Sequence, residues 1–162
     1  TTIAGSKLDY PRFESVQIIF NEINIGAKFI RSLHGCEITN YGDDIIIYRQ
    51  FGRVKPQSVR LIAGKAEKWD QRFYCQLIEK INIDDIYIAE IFAHEYKEIA
   101  DKVTTNLAKK ILFTLPAVKK SDKILAIPHL KYYDEYEGFS ADLIKISFAP
   151  AHISELVEPV MI

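Results

Sequence analysis

Apolar residues recur every three or four positions early in the chain, at Phe13, Val16, Ile19, Phe20 and Ile23. That spacing predicts an amphipathic helix over about 11–25. Pro11 suits its first turn, where a missing N–H is harmless, and Gly26 suits its end. From Lys28 the period shortens to two. Residues 29–34, 36–38 and 45–49 read as strands, with Gly42 providing the positive φ of a tight turn. Residues 52–68 hold Gly52, Pro56, Gly64 and five basic side chains, and read as a loop or a poorly paired strand.

Strand formers concentrate again over 72–78 and 86–91, with 82–85 able to turn between them. Tyr96, Ile99, Ala100, Val103, Leu107 and Ile111 then fall on one helical stripe, and the Thr104-Thr105 pair can split it in two. Two short apolar strings follow, predicting a hairpin of 116–120 with 124–128 whose tip is Lys119-Lys120-Ser121-Asp122-Lys123. Residues 142–148 make a last strand, and the tail from Ala149 reads as irregular. The expected class is α+β: a leading amphipathic helix, mostly antiparallel strands, and a helical element around 94–111. A break near 79–85 would divide the chain into modules 1–80 and 81–162.

A chain of 162 residues, 48% hydrophobic and 27% charged, excludes disorder and can build one sizeable core or two small ones. It opens on Thr1, so it reads equally as a piece of something longer. No apolar run approaches the ~18 residues of a membrane span, and no signal pattern precedes the first helix. The expectation is a cytoplasmic protein with no membrane partner. Cys36 and Cys75 are far apart and read as half-buried thiols in a reducing compartment. His34, His94, His129 and His152 never reach HxH or HxxxH spacing, so no metal site is expected.

Net charge is −1, but its distribution is uneven. Residues 96–131 hold eight lysines against Glu98, Asp101 and Asp122, a net of +5, while 132–162 carry a net of −5. Lys97, Lys102 and Lys109 lie off the helical stripe, and with Lys119, Lys120 and Lys123 they are candidates for one surface that tracks phosphates. Two plainer readings stand beside it: the basic and acidic blocks face each other, or the hairpin tip is a solvated turn. Trp69 and Arg72, with Asp70 and Phe73, form the other conspicuous cluster. Either Trp69 anchors a strand while Asp70 pairs with Arg72, or the cluster is an aromatic and guanidinium face for a nucleic acid.

Catalytic signatures are missing from the sequence. It holds no GxxxxGK[ST], no GxGxxG and no GxSxG. Its adjacent acids, Asp43-Asp44, Asp84-Asp85 and Asp134-Glu135, sit where turns are expected and read as solvating and capping groups. No catalytic or cofactor-binding residue is expected in this chain.

Several stretches taken in order resemble one family. They are Ile3-Ala4-Gly5, Asp9-Tyr10-Pro11-Arg12, the run from Leu33 to Ile38, Ile47-Tyr48-Arg49, the run from Trp69 to Phe73, Leu115-Pro116-Ala117, and the run from Leu125 to Leu130. Together they are similar to the C-terminal half of tRNA(Ile)-lysidine synthetases, most of all the shorter alphaproteobacterial form. Ala4 stands where a second Gly is usual, Gln71 where Gly is common, and Val118-Lys119 where an apolar-aromatic pair is frequent. The resemblance implies a ligase that uses ATP to attach lysine to the wobble cytidine of a minor tRNA(Ile). It also implies that ATP, Mg and catalysis belong to an N-terminal ATP-pyrophosphatase domain with a Ser-Gly-Gly-X-Asp-Ser loop. This sequence contains no Gly-Gly. The expected partners are therefore tRNA(Ile) and that catalytic domain, in the same or a separate chain. A standalone protein-interaction or scaffold module and an unrecognised small-molecule enzyme remain the alternatives.

Overall fold

The computed structural model describes residues 10–26, 28–50, 55–78 and 85–149, and its contacts form two compact units. The first opens with α1 (Phe13–Asn24), where the apolar spacing predicted a helix. Three antiparallel strands follow as a meander, β1 (Ile30–Leu33), β2 (Cys36–Tyr41) and β3 (Asp44–Arg49). The β1–β2 loop is the pair His34-Gly35, both at positive φ (51° and 82°), as a type I′ hairpin turn requires. Ile19 packs on Phe29, Ile38 and Leu33, and an ion pair joins Arg31 to Glu22. The rest of the helical stripe stays open. Phe13 is 73% exposed and Phe20 60%, with Val16 and Ile23 exposed beside them. A three-stranded sheet with three apolar residues against the helix has too little surface to cover five.

The second unit begins with β4 (Val59–Arg60), β5 (Ala66–Trp69) and β6 (Phe73–Leu77), then β7 (Ile86–Ala89). α2 (Ala93–Ile99), a 3-10 turn at Ala100–Lys102 and α3 (Lys109–Leu112) precede β8 (Ala117–Lys120) and β9 (Lys123–Ile127). β10 (Tyr132–Tyr133) and β11 (Ile144–Phe148) complete it. One antiparallel sheet has the order β10-β9-β8-β7-β4, the other β11-β6-β5. Trp69, Phe73, Cys75, Leu77 and Ile144 from the smaller sheet share a core with Ile86, Ile88, Val118, Leu125 and Ala126 from the larger. On the larger sheet's opposite face Ala117, Ile124 and Ile127 meet Tyr96, Ile99 and Leu112 of the helical layer. The central sheet is therefore buried on both sides, and β8 and β9 are enclosed at every position except Lys120 and Lys123 at the hairpin tip.

Two expectations need correction. The division falls between β3 and β4, not near 79–85, because β4 pairs with β7 and β6 with β11 across that stretch. Residues 52–68 contribute two real strands, although β4 is only two residues long. The helical element around 94–111 is two short helices with non-helical chain between them, a split at the Thr104-Thr105 pair that the sequence allowed. There the Thr105 hydroxyl oxygen accepts the Leu107 N–H at 3.2 Å, a local bond that competes with helix continuation. Residues 82–84 and the tail beyond Ala149 lie outside the described residues. Among the described residues no helix is long and apolar enough to cross a membrane.

Candidate nucleic-acid interface

The β8–β9 hairpin turns tightly at Ser121-Asp122, with Lys120 opposite Lys123 and Ser121 at φ 52°. Alternation along β8 sends Lys119 to the face that α2 covers, and its side chain is only 1% exposed. Its ammonium donates to both carboxylate oxygens of Glu95 at 2.6 Å, and Glu95 is equally enclosed. Phe92 closes the site, its ring centroid 4.5 Å from the Lys119 Nζ. Glu95 also accepts the Phe92 N–H at 2.7 Å, so one carboxylate both caps the first turn of α2 and neutralises the lysine. Burial pulls the Lys119 pKa below the ordinary lysine value, and the hydrogen bond with Glu95 opposes that pull. Lys55 lies 5.2 Å from the same ring and 3.6 Å from the buried Glu90. The Lys119–Glu95 pair fastens α2 to the sheet and leaves no open donor at Lys119 for a phosphate.

Lys119 therefore leaves the group of solvated tip residues. Lys123 stays exposed but is engaged, donating to Glu137 at 2.9 Å and lying 3.1 Å from Asp134. Those hydrogen bonds hold its ammonium above the usual lysine range. Here the basic and acidic blocks do face each other. Lys97 on α2, Lys102 in the 3-10 turn, Lys109 at the start of α3 and Lys120 at the hairpin tip are exposed.

The second cluster is closed. Trp69 is wholly buried, and its indole N–H has no hydrogen-bond partner among the described residues. Arg72 donates through Nε to Asp70 at 2.7 Å and through Nη2 to the Thr114 carbonyl at 2.8 Å, with its guanidinium 5.0 Å from the Phe73 ring. The plainer reading, a strand anchor with Asp70 paired to Arg72, is the arrangement found. Arg72 thus ties the β5–β6 turn to the segment after α3, and the open aromatic and guanidinium face is not formed.

Sequence reasoning missed the partners Glu95, Phe92 and Glu90. One signal was available, since Glu95 is the third residue of α2 and suits a capping carboxylate. Its bond to Lys119, 24 residues away, had none. Among the described residues no group of three or more His, Cys, Asp or Glu is placed to hold a metal ion.

The chain is thus an antiparallel α+β protein with closed internal ion pairs and lysines at its surface. No protein-family model matches it, and no solved structure does. It is 36% identical over 148 residues to the tRNA(Ile)-lysidine synthase of Rickettsia bellii (strain RML369-C), covering 86% of this chain. Similar synthases from Rickettsia typhi (strain ATCC VR-144 / Wilmington) and Rickettsia prowazekii (strain Madrid E) are 35% and 34% identical, each over 88% of this chain. The chain spans about a third of the length of these relatives, 33% in the first and 34% in the other two. It matches a C-terminal region of tRNA(Ile)-lysidine synthases.

Proposed function

We propose that this chain is the tRNA-binding C-terminal portion of a cytoplasmic tRNA(Ile)-lysidine synthetase. In this reading it positions the tRNA and carries no catalytic site, while a separate ATP-pyrophosphatase domain ligates lysine to the wobble cytidine. The observation that carries the reading is similarity over 86–88% of the chain to proteins named tRNA(Ile)-lysidine synthase. The open apolar face of α1 supports the second partner. Phe13, Val16, Phe20 and Ile23 are exposed on a helix of a chain a third as long as its relatives, and the catalytic domain would cover them.

Exposed lysines would supply affinity through phosphates without reading bases. The test is a titration of the chain with unfractionated tRNA at several salt concentrations. Weak binding that falls steeply with salt is expected. Changing Lys97, Lys102, Lys109 and Lys120 together to Gln should flatten the log–log salt slope by about 0.7–0.9 for each phosphate that a lysine no longer neutralises. Absence of tRNA binding at low salt would overturn the reading.

A further inference from the structure

The outer face of the β11-β6-β5 sheet has a composition that its core duties do not explain. Strand pairing sets its side chains in two cross-strand rows. Ala66, Gln76 and Lys145 form one row; Lys68, Tyr74 and Ser147 form the next. The alternate residues Trp69, Phe73, Cys75, Leu77 and Ile144 face the core, so these six face outward. None of the six is acidic. Glu67, the nearest acid on β5, takes the alternate register opposite Cys75 and is held by Lys65 at 2.5 Å. Neither Lys68 nor Lys145 forms an ion pair with a described carboxylate.

At the centre of the face Tyr74 is 45% exposed. The Lys68 ammonium lies 5.5 Å from its ring centroid, so a flat aromatic surface and a cation already share one side of the sheet. Gln76 donates to the Gly64 carbonyl at 3.4 Å and sits one row away. Lys68 and Lys145 stand on strands two apart, about 10 Å in the pairing direction. They flank Tyr74 on either side.

We infer that this face binds unpaired nucleotides of RNA, with Tyr74 stacking on a base and Lys68 and Lys145 holding the flanking phosphates. The physical case is complementarity. An exposed ring stacks on any base, unpaired lysines favour phosphates, and a face without carboxylates does not repel the strand. The assignment deepens the tRNA-binding reading above, on which it rests, and gives that reading a surface distinct from the hairpin tip.

The experiment titrates the full chain with fluorescein-labelled oligouridine and, in parallel, with unfractionated tRNA. Tyr74→Ala should weaken oligouridine binding roughly five- to a hundredfold, as loss of one base stack does. Tyr74→Phe, which keeps the ring, should stay within about twofold of the wild type on the same grounds. Lys68→Gln with Lys145→Gln should lower the single-strand salt slope by about 1.4. Melting temperatures should not move, because all three side chains are partly or largely exposed. Wild-type affinity in both Tyr74→Ala and the lysine double variant would overturn the assignment. A loss shared by Tyr74→Phe, or one accompanied by a lower melting temperature, would overturn it too by marking Tyr74 as structural. If the wild-type chain bound neither RNA at low salt, the tRNA-binding reading itself would fall. If it bound tRNA while the variants matched it on both probes, only this surface would be refuted.

Discussion

Lys119 carries a positive charge into the packed layer beneath α2, and its contribution is defined by what its removal would leave. Lys119→Met strands Glu95, 2% exposed, without the cation that both of its oxygens contact. Loss of one partner of a buried pair costs about 3–5 kcal/mol. The variant should therefore show a lower urea midpoint, and Glu95→Gln added to it should recover most of the loss while still accepting the Phe92 N–H. A double variant as unstable as the single one would show that the pair does not carry the energy. The same geometry predicts that changing Lys119, Lys120 and Lys123 together unfolds the chain more readily, although all three read alike as tip residues in the sequence. Residue type alone could not separate them. Lys119 differs by facing α2, and its partner Glu95 lies outside any local sequence window.

The turns show where local chemistry was legible and where the sequence departs from its own rule. Gly35 and Gly42 occupy positive-φ positions of two tight hairpins, as glycines in such contexts should. The β5–β6 turn instead places Asp70 and Gln71 at φ 52° and 54°. Asp70 is held there by Arg72, but the exposed Gln71 makes no compensating side-chain bond among the described residues. A left-handed residue with a Cβ costs about 1–2 kcal/mol, and part of any gain returns as unfolded-chain entropy for glycine. Gln71→Gly should thus raise stability by about 0.5–1 kcal/mol, read as a higher denaturant midpoint at unchanged slope. A lower midpoint would mean that the side chain has a role in the turn. The helices were less legible than the hairpins. The stripe from Tyr96 to Ile111 was continuous in pattern, yet the chain leaves the helix after Lys102 and Leu107 ends exposed. Periodicity registered which residues are apolar, while the Thr104-Thr105 pair marked where the stripe breaks, and the fold places a competing bond at Thr105.

For the whole molecule, the proposed division of labour makes one direct prediction. The chain alone should form no AMP from ATP in the presence of lysine and tRNA, since its sequence has no phosphate-binding loop to gather backbone N–H donors around a triphosphate. Supplied with a catalytic domain from a related synthase, the same chain should support lysine-dependent AMP formation. Robust turnover by the chain alone would reject the division. Hydrophobic spacing by itself determined α1, the β1–β3 meander, the β8–β9 hairpin and the α+β class, because each is set by side chains within a few residues of one another. Tertiary structure alone decided that the strands around Trp69 and Phe73 join the second unit, since β6 finds its partner β11 some 70 positions later. It also decided which charges stay in water. Lys119 and Arg72 were drawn inside by Glu95 and Asp70, whereas Lys68 and Lys145 were left outside with no described acid to meet. A charge is buried only where the fold delivers a counter-charge to the same place, and that meeting is a property of the packed chain rather than of any stretch of its sequence.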